Sequence, residues 1–100
     1  MQSGPLSDAQ AAFARDLDDV LGRVRRLLRQ KNAAYGDSAL DPLRVFSKAS
    51  PEEQIRVRID DKLSRLARGS DAGEDVLADL LGYLVLLEIA KLRKTREVQQ

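Results

Sequence analysis

Apolar residues recur at steps of three and four along most of this chain, which is the period of a helix. Phe13, Leu17, Val20, Leu21, Val24, Leu27 and Leu28 form one stripe, and Arg15, Asp18, Asp19, Arg25, Arg26 and Arg29 occupy the opposite face. Ser7 stands ahead of the stripe as an N-cap, and Gln10, three residues on, completes a capping box. The spacing predicts a first helix from Ser7 to about residue 33, about 40 Å long at about 1.5 Å per residue. Tyr35-Gly36-Asp37-Ser38 ends it, with Gly36 suited to a cap of positive φ. Asp41-Pro42 then reads as the start of a short helix, a cap followed by Pro at N1. Its Leu43, Val45 and Phe46 are expected to tuck onto the core.

Ser50-Pro51-Glu52-Glu53 is a second start signal: cap, Pro at N1, Glu at N3. It opens a helix from Pro51 to about Arg68 with the stripe Ile55, Ile59, Leu63 and Leu66, and Gly69 stops it. Asp71-Ala72-Gly73-Glu74 reads as a further capping box, opening a third long helix over about 72–95. That helix is apolar nearly all round, at Val76, Leu77, Leu80, Leu81, Leu84, Val85, Leu86, Leu87 and Ile89. Two neighbours cannot cover such a helix in a monomer, so it is expected to be central or part of a subunit interface. The expectation is an all-α small bundle of three long helices plus one short one. Residues 7–95 form the single domain, 1–6 and 96–100 form loose tails, and homo-oligomerisation through the third helix completes the fold.

Composition narrows the chemistry. The absence of cysteine excludes disulfides, zinc–thiolate centres and cysteine nucleophiles. The absence of histidine removes the Ser-His-Asp triad and the usual general base. Any catalysis would run on carboxylates, Lys, Tyr or a hard metal with oxygen ligands. A net charge of +1 gives no global attraction to duplex nucleic acid. Asp79, Glu88 and Lys91 interrupt the greasiest stretch, which therefore reads as a buried helix rather than a membrane span. Met-Gln-Ser-Gly-Pro at the N-terminus lacks the pattern of a signal peptide, and a cytoplasmic location is expected.

Three polar groups stand where a bundle that only had to fold would not need them. Arg58, Asp61, Lys62 and Arg65 share one face of the second helix at i, i+3, i+4 and i+7. Asp75, Asp79 and Tyr83 share a face of the third. Asp75 suits a first helical turn, whereas Asp79 sits among Leu and Val and needs a partner. Burying a carboxylate is costly unless it is paired, hydrogen-bonded or metal-bound. Asp79 is therefore either an ion-pair partner of Arg58, Arg65 or Lys62, or a ligand of Mg²⁺ together with Asp61 and Asp75. Lys31, Asn32, Tyr35, Gly36, Asp37 and Ser38 supply a cation, an amide, a ring and a hydroxyl at the close of the first helix. Gly, Asp and Ser suit a helix stop, but Lys31 and Tyr35 need another reason. Such groups suit the phosphate, sugar and base of a nucleotide or another phosphorylated small molecule.

The order KNAAYGDS, PLRVFSK, VRIDDKLSRL, EDVLADLLGYLVLL resembles the nucleotide modification-associated domain 1 family of phages and bacteria. Its pattern is close to K-N-x-x-Y-G-D-S, R-x-x-D-K-x-x-R-L and D-x-x-x-D-L-x-x-Y. The resemblance spans about residues 28–90 and marks Lys31, Asn32, Tyr35, Gly36, Asp37, Ser38, Arg58, Asp61, Lys62, Arg65, Asp75, Asp79 and Tyr83. It implies an all-helical fold and work on modified or free nucleotides. A more distant similarity is to MazG-like helical nucleotide pyrophosphatases. Val76 stands where those enzymes carry a metal-binding Glu, and Arg58, Asp61 and Arg65 replace their E-x-x-E helix. The leading expectation is a nucleotide-binding domain with Mg²⁺-dependent phosphoanhydride hydrolysis of nucleoside triphosphates. In it Asp61, Asp75 and Asp79 hold the metal, Glu74 assists, and Arg58, Lys62, Arg65 and Lys31 neutralise phosphate, while Tyr35 and Asn32 meet base or sugar. The alternatives are a non-catalytic nucleotide-binding or sequestering module and a structural oligomerisation module.

Overall fold

A computed structural model describes residues 4–41, 46–69 and 75–99, the side chain of residue 99 excepted. Among the described residues there are three helices and no strand: α1 (Asp8–Tyr35), α2 (Pro51–Arg68) and α3 (Val76–Gln99).

The helix ends follow local chemistry. Ser7 and Gln10 close a capping box, the Gln10 amide donating to Ser7 Oγ at 3.1 Å and the Ser7 amide donating to Gln10 Oε1 at 2.9 Å. Ser50 Oγ accepts the Glu53 amide at 3.1 Å, with Pro51 in the first turn. Gly69 is left-handed, and its N–H reaches the carbonyls of Arg65 and Leu66, which stops α2. Gly36 ends α1 at φ 65° and ψ −154°, a positive φ as expected but outside the left-handed helical well.

Some expectations are corrected, and others lie outside the described residues. The start predicted at Asp71 lies outside the described residues; α3 is described from Val76, and Asp75 Oδ1 accepts the Ala78 amide at 3.0 Å as its cap. At its other end α3 continues to Gln99 instead of fraying after residue 95. The short helix predicted after Asp41 falls mostly on residues 42–45, outside the described residues. Phe46 itself is 97% exposed and is not tucked onto the core.

α3 is the hub. α2 packs along it, α1 crosses it over a shorter stretch, and among the described residues the backbones of α1 and α2 do not come close to each other. Ile55, Val76, Leu80, Ala90 and Val24 form the buried core. The α1 stripe does not bury along its whole length. Val24 is buried and Leu27 and Leu28 half-buried, but Phe13, Leu17, Val20 and Leu21 are exposed. The physical reason is reach: among the described residues α3 meets the later half of α1 and does not cover the earlier half. Gly82 permits that meeting, because a Cβ there would lie 3.3 Å from Leu28 Cδ2. The radius of gyration is 17.1 Å, against about 13 Å for a compact chain of this length.

The backbone at Gly36 generates a prediction. Nothing lies within 4 Å of a Cβ added there, so the cost of substitution is conformational. Its φ and ψ fall in a region open essentially to glycine alone, where other residues lose about 1–3 kcal/mol. Gly36→Ala is expected to lower unfolding free energy by about that amount, measured by urea denaturation. At Gly69, which is in the ordinary left-handed well, the same change should cost about 1 kcal/mol.

Candidate functional site

The end of α1 and the start of α3 enclose a cavity of about 280 Å³. The cap geometry of Gly36 turns the chain back, so that Asp37, Ser38, Ala39 and Leu40 form one wall. Lys31, Asn32 and Tyr35 project from the last turns of α1, and Asp79 and Tyr83 from α3. Leu27, Leu28, Leu40 and Leu86 make the apolar floor, and Gly82 leaves room between the two helices. The wall segment is held by its own backbone, with the Leu40 and Asp41 amides donating to the Asp37 carbonyl at 3.0 and 2.7 Å.

Two carboxylates organise the polar side of this cavity. Asp79 meets Lys31 Nζ at 3.4 Å on one oxygen and Lys62 Nζ at 3.5 Å on the other. One carboxylate thus receives a cation from α1 and another from α2. The Lys62 and Asp79 side chains are only 12% and 18% exposed, so water screens this pair less than an ordinary surface bridge. Asp37 accepts from Arg93 Nη1 at 2.6 Å and from Asn32 Nδ2 at 3.1 Å. The Arg93 hydrogen bond above all, helped by the Arg93 charge and the Asn32 amide, holds the Asp37 carboxyl below its ordinary value, against an opposing effect of burial that is larger than either of those two helpers.

The residues expected from the sequence divide into two groups. Lys31, Asn32, Tyr35, Gly36, Asp37, Ser38, Asp79 and Tyr83 line the cavity together, and Lys62 joins them through Asp79. Arg58, Asp61, Arg65 and Asp75 are not on its wall. Asp61 pairs with Arg65 at 3.3 Å along α2, Arg58 is exposed, and Asp75 caps α3. Asp61, Asp75 and Asp79 are thus engaged separately. Among the described residues no three acidic side chains gather where they could hold a metal ion. Glu74 lies outside the described residues.

Arg93, which the sequence pattern does not single out, supports the site from outside its wall by pairing with Asp37. Its signal was spacing: Asp79, Leu86 and Arg93 recur every seven residues and share one face of α3. Gly82 was likewise unmarked, although it lies a turn beyond Asp79 on the side facing α1.

Chemically the cavity wall offers one cation, Lys31, with two carboxylates, one amide, two phenols and one hydroxyl over an apolar floor, while Lys62 and Arg93 reach the carboxylates from beyond the wall. The phenols, the amide and the apolar floor suit a flat or apolar group with a polar edge. Comparison with protein-family models, curated proteins and solved structures finds no match to this chain. Among the described residues no helix is long and apolar enough to cross a membrane.

Two outcomes are expected. In the folded chain the Asp37 carboxyl should titrate below its ordinary value of 3.8, and Arg93→Gln should return it toward that value, read by carboxyl carbon NMR shifts against pH. Because the folded value is the lower one, the stabilisation from this group is present above the ordinary value. It is lost as pH falls through the depressed one. Asp79→Ala removes an acceptor of two lysines, one of them little exposed, and is expected to cost about 1.5–3 kcal/mol in thermal or urea unfolding.

Proposed function

We propose that this chain is a nucleotide-binding helical domain and that the cavity between α1 and α3 is its binding site. The observation that carries the reading is the convergence of Lys31, Asn32, Tyr35, Ser38 and Tyr83 on one cavity, beside an acid already held by two lysines. Lys31 draws the phosphate, the phenols of Tyr35 and Tyr83 flank the base, and Asn32 and Ser38 serve the sugar or base edges. The cavity is at the small end of the range for ligand pockets, which suits one base and its nearest phosphate with further phosphates outside. The sequence resemblance to nucleotide modification-associated domains supports the same reading and a MazG-like arrangement of the helices.

A second reading adds hydrolysis of a nucleoside triphosphate with Mg²⁺. The separate engagement of Asp61, Asp75 and Asp79 does not fit a metal shell built from those three. What favours the reading is that Asp37 and Asp79 both stand on the cavity wall, since Mg²⁺ is commonly held by one or two carboxylates together with substrate phosphates. Self-association through α3 also belongs to the proposal, because the outward face of that helix is apolar and exposed among the described residues.

Calorimetric titration with nucleoside mono-, di- and triphosphates tests the binding. Saturable heat is expected, with Lys31→Ala weakening affinity about tenfold, or about 1.4 kcal/mol, and Tyr35→Ala weakening it comparably. Absence of binding to every nucleotide tried would leave a structural module instead. Release of pyrophosphate or phosphate with Mg²⁺, abolished in Asp79→Ala protein of native helicity, would select the hydrolytic reading over simple binding.

A further inference from the structure

The face of α3 turned away from α1 and α2 carries Leu77, Leu81, Leu84, Val85 and Leu92, all exposed. Glu88 completes the row. These positions are symmetric about the midpoint of the Leu84–Val85 peptide: Leu77 mirrors Leu92, Leu81 mirrors Glu88, and Leu84 mirrors Val85. A two-fold axis through that midpoint brings each member of the row opposite its mirror position on a second, antiparallel copy. Most of these pairs are apolar on both sides. The exception is Glu88 against Leu81, and Glu88 brings its own counterion, Lys91, at 3.6 Å.

The surface area points to the same occupant. The chain exposes 8124 Å², whereas a folded monomer of 11.1 kDa exposes about 5,700 Å², so roughly 2,400 Å² is in excess. A stable interface needs about 800 Å² from each partner. The other exposed stripe, Phe13 to Leu21 on α1, is a poorer self-complement. A two-fold at its centre would bring Asp16 and Asp18 against the same residues of the copy, and like charges so placed repel.

We propose that α3 pairs antiparallel with α3 of a second copy of this chain, with the two-fold axis between Leu84 and Val85. This rests on the self-association proposed above and adds its partner geometry. It places the two nucleotide cavities on the flanks of α3 away from the interface, so each chain keeps a complete site.

The chain has no cysteine, so introduced thiols report contacts cleanly. Sedimentation equilibrium of the unaltered chain is expected to give a dimer, and Leu84→Glu a monomer of unchanged helicity. Under mild oxidation the double variant Leu77→Cys, Leu92→Cys should form a covalent dimer. Each single variant should not, because like positions then lie about 22 Å apart along the axis. A monomer at every concentration overturns both self-association and this geometry. A dimer in which each single-cysteine variant cross-links alone overturns the antiparallel register but keeps self-association through α3. A dimer that Leu84→Glu leaves intact and no thiol pair traps places the interface elsewhere. Nucleotide titration of the Leu84→Glu monomer separates these outcomes from failure of the binding site.

Discussion

Asp79 is the point at which the three helices are tied. The backbones of α1 and α2 stay apart among the described residues, and both lie against α3. Asp79 takes Lys31 from the one and Lys62 from the other on its two oxygens. A leucine at this position would enlarge the apolar floor but leave both ammonium groups facing a carbon surface. The carboxylate therefore does two things at once. It neutralises Lys62, which is nearly enclosed, and it links α1 to α3 through Lys31. Gly82, one turn on, supplies the steric half of that link by letting Leu28 approach the α3 backbone.

Local signals in the sequence were readable because their chemistry is local. The Ser7–Gln10 capping box, the Ser50 cap with Pro51, and the Gly36 and Gly69 stops each depend on residues within four positions of one another. The cluster Lys31–Ser38 was legible for a related reason: it is one short segment, and its turn brings those side chains to a single wall. The partner of Asp79 was legible only as a choice among cations. Lys62 lay within that choice, but Lys31 comes from a helix 48 positions away in sequence, and no periodicity announces such a meeting.

The expectations that did not hold share a physical cause as well. Arg58, Asp61, Lys62 and Arg65 do lie on one edge of α2, but a face spans a quarter turn or more. Lys62 reaches inward to α3, and Asp61 turns back along its own helix to Arg65. Asp75 is drawn to the open amides at the start of α3, where a carboxylate acceptor satisfies an orphan donor. Three acids close in pattern were thus separated by the competing demands of a cap, an intrahelical pair and an interhelical bridge. Arg93 went the other way: beyond its value at a helix C-terminus it fixes the loop after α1, because Asp37 lies within its reach.

The weakest junction and the cavity coincide, and this links stability to ligand. α2 and α3 form an extensive pair, whereas α1 is held to α3 by Leu27, Leu28 and the two carboxylate clusters. The buried apolar core consists of a handful of residues, and a domain of this size has little stability to spare. An anion seated between Lys31 and Tyr83 would contact both sides of that junction. Any ligand that binds the folded chain alone stabilises it by an amount that grows with the logarithm of its concentration over its dissociation constant. Occupation of the cavity should therefore tighten α1 onto α3 more than it alters the α2–α3 pair. Amide protection in the last turns of α1 is the property in which a bound nucleotide would be most visible.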